Sequence, residues 1–134
     1  MRFLGVDYGS SRTGLALSDP LAITCSPLGT LTERDDERLI ERIIRTAREQ
    51  QVDTIVVGLP RPLSGGTNRQ SESATAFKER LERVAGVPVV MCDERFTSKL
   101  AERSRRRTSG RDAVAACYML QSFLDSCTNT TEDA

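Results

Sequence analysis

The order of hydrophobic runs in this chain predicts an α/β fold, a mixed five-stranded sheet flanked by helices. Three observations carry that prediction. Short β-branched or alternating runs read as strands, beginning at Phe3, Thr13, Thr24, Thr54 and Val87. Three longer stretches repeat apolar residues at helical spacing. After the third strand the two kinds alternate, which is the pattern that lays helices against the faces of a sheet.

Phe3 to Asp7 is a buried strand that stops at the turn Tyr8-Gly9-Ser10-Ser11. Thr13 to Ser18 alternates, with Leu15 and Leu17 apolar, and forms a hairpin with the first strand. Asp19-Pro20 is a turn signal, and Thr24 to Leu31 is a third strand. Pro27 lacks an N–H for the ladder, so this strand should be short or bulged. Thr32 stands where an N-cap belongs, and Glu33, Asp35 and Asp36 supply acids for a first helical turn. Leu39, Ile40, Ile43, Ile44 and Ala47 then form one apolar stripe. Thr54 to Leu59 reads as a central strand of a parallel pair, ended by Pro60. After a polar loop from Arg61 to Thr67, a helix over 71–84 carries Ala74, Phe77, Leu81 and Val84, and Gly86 closes it. The last strand, Val87 to Cys92, delivers Asp93-Glu94-Arg95 at its carboxyl end. A final helix over 111–126 carries Ala113, Ala116, Cys117, Leu120, Phe123 and Leu124. The expected organisation is one domain over 1–128, with 129–134 as a disordered acidic tail.

Composition narrows the chemistry. The chain has 134 residues and contains no histidine, which excludes a Ser-His-Asp triad, a histidine general base and histidine-ligated zinc. Its four cysteines form no C-x-x-C pair and read as reduced thiols. A signal peptide and a 20-residue apolar span are both missing from the pattern, so the expectation is a cytoplasmic protein that does not engage a membrane. Formal net charge is zero, but the distribution is uneven. Arg103, Arg105, Arg106, Arg107 and Arg111 crowd a short stretch without acids, and the guanidinium fork suits phosphate. A solvated arginine-containing loop would read the same way.

Ligands of α/β sheets bind beyond the carboxyl ends of the strands. Asp7 ends the first strand, Asp93 and Glu94 end the last, and Asp112 opens the final helix. Acids converging there without a compensating lysine suggest hard oxygen ligands for a divalent cation. Each has a plainer use: Asp7 as an Asx bond in the turn, Asp93 or Glu94 as a partner of Arg95, Asp112 as a first-turn acid.

Four segments together resemble the YqgF/RuvX family, Holliday-junction-resolvase-like proteins also described as pre-16S rRNA nucleases. They are Gly5-Val6-Asp7-Tyr8-Gly9-Ser10-Ser11-Arg12-Thr13-Gly14-Leu15-Ala16, Val57-Gly58-Leu59-Pro60 with Gly65-Gly66, Asp93-Glu94-Arg95-Phe96-Thr97-Ser98, and Asp112-Ala113-Val114-Ala115-Ala116. The resemblance implies an RNase H-like (RuvC-like) fold and a metal-dependent nuclease using Mg²⁺ or Mn²⁺. It implies that Asp7, Glu94 and Asp112 are the catalytic, metal-binding acids, with Asp93 behind them. Arg12, Arg95, Arg103, Arg105, Arg106, Arg107 and Arg111 would contact nucleic acid, an rRNA precursor or branched DNA. Junction resolution would need a homodimer, and a non-catalytic nucleic-acid-binding or ribosome-assembly module is the remaining alternative. Two features depart from the wider pattern. Gly58-Leu59-Pro60 has no acid where many RNase H-like nucleases place one, and the basic segment between Glu94 and Asp112 is short for the family.

Overall fold

A computed structural model of the chain describes residues 1–9, 11–59, 69–93 and 111–133. Its elements are β1 (Phe3–Asp7), β2 (Arg12–Ser18), β3 (Cys25–Thr32), α1 (Asp36–Glu49), β4 (Thr54–Leu59), α2 (Arg69–Ala85), β5 (Val89–Asp93) and α3 (Arg111–Asp133). The strands form one sheet in the order β3-β2-β1-β4-β5. The hairpin strands are antiparallel, β1 to β2 and β2 to β3, whereas β4 runs parallel to β1 and β5 parallel to β4. The carboxyl ends of β1, β4 and β5 therefore share one edge.

The pleat sorts side chains onto two faces, and two apolar clusters record it. Leu4, Val6, Leu15, Ile55, Val57 and Val89 pack on one side with Leu39, Ile43, Phe77 and Leu81, so α1 and α2 cover that face. Ala16 and Val56 pack on the other with Ala116, Met119, Leu120 and Leu124, so α3 covers the opposite face. β1 is thus hydrogen-bonded on both sides and covered on both faces. This explains its unbroken apolar run.

Glycine at position 5 sets how close α3 comes. A Cβ there would stand 2.9 Å from the Leu120 Cβ and 3.4 Å from the Ala116 carbonyl oxygen. Further along, the Phe3 and Phe123 rings meet edge-on with centroids 5.7 Å apart. The helix and the strand therefore run in opposite directions, and α3 begins at the carboxyl edge of the sheet.

The start of α1 and the end of α3 differ from the sequence reading, and the irregularity expected in β3 is observed. Thr32 is not the cap of α1; it is the last residue of β3, paired with Arg12. The cap is Asp35, whose carboxylate accepts the Glu37 N–H at 3.1 Å. Strand pairing holds Thr32 extended, so the helix waits for the next residue with a capping oxygen. In β3, Leu15 pairs with Gly29 and Ala16 with Pro27, so the irregularity expected at the proline is a bulge that leaves Leu28 over. α3 continues beyond Ser126 and takes in the polar residues 129–133, which the sequence reading set apart as a tail. Among the described residues no helix is long and apolar enough to cross a membrane.

Gly5→Ala should destabilise the protein by about 1–3 kcal/mol, because the contacted atoms are a Cβ and a backbone oxygen that move only with the whole helix. Denaturant unfolding of the variant checks this. Asp35→Ala should cost about 1 kcal/mol through the lost cap.

Candidate functional site

Asp7 is the last residue of β1, and its backbone pairs with Gly14 of β2. Strand alternation gives Asp7 the parity of Gly5, on the face that α3 covers. Gly14 opposite it adds no side chain. Asp7 is half-buried. Arg12 opens β2 with the parity of Gly14 and Ala16, on the same face.

The main chain of Asp93 ends β5 and pairs with Leu59, so β4 closes without an acid and the neighbouring strand ends on one. Val6 pairs with Val57 and Val57 with Met91, which puts the ends of β1 and β5 two interstrand spacings, roughly 10 Å, apart. Arg111 and Asp112 are the first two residues of α3. Two strand residues advance about as far as four helical ones. Stepping from the Gly5 contact with Leu120, Asp7 comes level with about Ala116, and Asp112 lies one turn further on. The backbone thus brings positions 7, 93 and 112 to one edge. Glu94, Arg95, Arg103, Arg105, Arg106 and Arg107 lie outside the described residues. Among the described residues no group of three His, Cys, Asp or Glu side chains stands close enough to hold a metal ion.

What the sequence reading missed is the support of the turn after Asp7. The Tyr8 hydroxyl donates to Asp36 at the start of α1, 2.9 Å to one carboxylate oxygen and 3.2 Å to the other. Arg80 of α2 pairs with the same carboxylate at 3.5 Å and with Glu37 at 3.8 Å. The Tyr8 ring stacks on Phe77, with centroids 4.2 Å apart and planes inclined by 17°. One side chain therefore ties the turn to both helices of that face. Burial, and then the hydrogen bond to Asp36, push the Tyr8 phenol up to about 12. On the other side of the turn, the Gly9 N–H donates to Thr13 Oγ1 at 3.4 Å. A Cβ at Gly9 would overlap the Arg12 carbonyl oxygen, so the turn admits only glycine there. A tyrosine beside a candidate acid was the available signal. Its partner lies 28 residues away, which no local pattern reveals.

A mixed sheet of this order, with helices on both faces, defines an RNase H-like fold of the RuvC kind. Thermus thermophilus RuvC in complex with a Holliday junction substrate superposes with a TM-score of 0.64, covering 97% of each chain at 14% identity. The fowlpox virus resolvase in complex with Holliday junction DNA gives 0.56 at 12% identity, covering 95% of this chain and 99% of that one. At such identities the likeness is one of fold.

Sequence relatives are more specific. Residues 1–126 match the RuvX family, described as Holliday junction resolvase. A relative from Anaeromyxobacter sp. is 43% identical over 133 residues, 93% of this chain and 97% of its own. One from Clostridium acetobutylicum is 37% identical over 134 residues, 94% of this chain and 99% of its own. Both are named "Putative pre-16S rRNA nuclease". The chain belongs to the RuvX family, and it is a nuclease, a hydrolase of phosphodiester bonds.

Tyr8→Phe should lower stability by about 1 kcal/mol at neutral pH, through loss of the bond to Asp36. Because folding raises this phenol from 10.0 to about 12, its contribution is fully present below pH 10 and is lost as pH rises through 12. The stability gap between the two proteins should therefore narrow over that window. A gap that stays constant in denaturation series from pH 9 to 12 would show that the phenol proton is not responsible.

Proposed function

We propose that the chain is a divalent-metal nuclease of structured nucleic acid, with Asp7, Glu94 and Asp112 as its ligating carboxylates and the 5′ end of pre-16S rRNA as its substrate. The observation that carries this reading is the half-buried Asp7 at the end of a central strand, about one helical turn from the start of α3. The donor chemistry fits a hard cation. No histidine exists in the chain, and the nearby Cys92 thiol is turned to the Met119 carbonyl at 3.8 Å, which leaves oxygen ligands. Glu94 is taken as the ligand and Asp93 as its support on the family resemblance of the Asp93-Glu94-Arg95 segment.

A divalent ion held there, Mg²⁺ or Mn²⁺, supplies an activated water and neutralises charge on the phosphoryl oxygens. The chain's own residues do the rest. Asp7 offers a carboxylate whose position the core holds. Arg12, on the same face, orients a backbone phosphate with its planar fork. Arg95, Arg103, Arg105, Arg106, Arg107 and Arg111 hold further phosphates and supply affinity without sequence choice. The work is cytoplasmic, where precursor ribosomal RNA is found. The names of the relatives favour the RNA substrate. The family description favours a second reading, junction cleavage, which would pair two chains as a homodimer.

The test compares wild type with Asp7→Asn on a 5′-extended 16S precursor and on a four-way DNA junction. Wild type should cut the RNA with Mg²⁺ or Mn²⁺ and poorly with Ca²⁺, whose looser coordination does not enforce the geometry. Asp7→Asn should lose about a hundredfold or more in rate and keep its unfolding midpoint and most of its RNA affinity. Normal cutting by the variant, or by wild type in excess chelator, would sink the carboxylate–metal reading. Binding without any cutting would favour a non-catalytic assembly module. Faster cutting of the junction by a dimer would favour resolution.

Replacing Arg105, Arg106 and Arg107 together by Ala should weaken binding to all sequences alike. It should also reduce the slope of log affinity against log salt by roughly 2–3. An unchanged slope would remove these arginines from the phosphate contacts.

A further inference from the structure

Cys25 and Cys117 meet where β3 packs against α3, and the nuclease reading makes no use of them. Their sulfurs lie 3.2 Å apart, although the residues are 92 positions apart in the chain. Each thiol also reaches the other's main chain. Cys25 Sγ stands 3.1 Å from the Cys117 carbonyl oxygen, and Cys117 Sγ stands 3.4 Å from that of Cys25. Both thiols are free and half-buried, so small solutes can reach them. Cys92 is held elsewhere, against the Met119 carbonyl.

We propose that Cys25 and Cys117 form an oxidation site that closes to an intrachain disulfide and latches edge strand β3 to α3. A disulfide needs sulfurs about 2.05 Å apart, so the pair must approach by roughly 1.2 Å. β3 can supply that movement. It is an edge strand, bonded on one side only, and its bulge lies close to Cys25 beside Pro27. Burial, and then the hydrogen bond with Cys117, push the Cys25 thiol up to about 12, so Cys25 rests as a neutral thiol rather than a standing nucleophile.

The oxidant class is a hydroperoxide, small enough for a half-buried pair. With hydrogen peroxide, one sulfur takes one peroxide oxygen to become a sulfenic acid, the O–O bond breaks, and the other oxygen leaves as water. The second sulfur then attacks the sulfenic sulfur. The S–S bond forms, the S–O bond breaks, and the hydroxide released takes the second thiol's proton as a second water. Two thiols are oxidised by two electrons and one peroxide is reduced. The resolving thiol is already in contact, so the sulfenic acid is captured before further oxidation.

The experiment treats the full chain with a small excess of hydrogen peroxide and reads intact mass, free thiols and non-reduced peptides. Expected are a loss of two hydrogens, a fall from four free thiols to two, and one linked pair joining Cys25 to Cys117. The long loop closed should raise the unfolding midpoint by about 5–10 °C, reversed by dithiothreitol. The Cys92→Ser/Cys127→Ser double variant keeps the pair and should give the same product, whereas Cys25→Ser and Cys117→Ser should each give none. If a single variant fails to fold, the double variant still decides. Four free thiols after treatment, a linked peptide containing Cys92 or Cys127, or a link between two chains would overturn the proposal.

Discussion

Strand β1 is hydrogen-bonded to β2 on one side and β4 on the other, and its faces are covered by different helices. Each of its residues therefore has one permitted direction. Leu4 and Val6 are fully buried toward α1 and α2, while Gly5 lies against α3 with no room for a side chain. A slip of one residue would drive Leu4 or Val6 into α3 and leave a gap in the other cluster. Burial of each such side chain stabilises by roughly 1.5–3 kcal/mol, so the register is strongly held. Asp7 inherits its direction from that register. The orientation of the carboxylate at the edge of the sheet is thus set by apolar packing several residues away.

The turn beyond Asp7 is held by a different kind of force. Tyr8 stacks on Phe77 and donates to Asp36, which Arg80 also pairs. The Arg80 pairs are partly exposed and individually weak. Their value is geometric, since they join the start of α1, the middle of α2 and the end of β1 at one point. A carboxylate on a core strand and a turn braced from two helices are both held in place, as the proposed catalysis by positioning and charge requires.

α3 connects these features to the other end of the sheet. Its middle lies on Gly5, its start comes to the carboxyl edge beside Asp7, and Cys117 reaches the edge strand β3. One helix therefore contacts both the central strand β1 and the edge strand β3.

The apolar spacing alone located the five strands and three helices, because burial on one face or two imposes periods of 2 and 3.6 on any stable sequence. It also located Asp7, Asp93 and Asp112 at element ends, and the resemblance of four segments identified the RuvX family. The limits of local reading appear at particular residues. Thr32 looked like a helix cap and is strand, because pairing with Arg12 outweighed the preference for a cap. Tyr8 carried only its place beside Asp7 as a signal, since its partners Asp36 and Phe77 lie on two distant helices. Cys25 and Cys117 read as unrelated thiols until the packing of α3 on β3 set their sulfurs in contact. Periodicity is a property of neighbours along the chain and is visible in the amino-acid order. Contacts between residues 28 or 92 positions apart arise only when the whole core closes, and no local pattern encodes them.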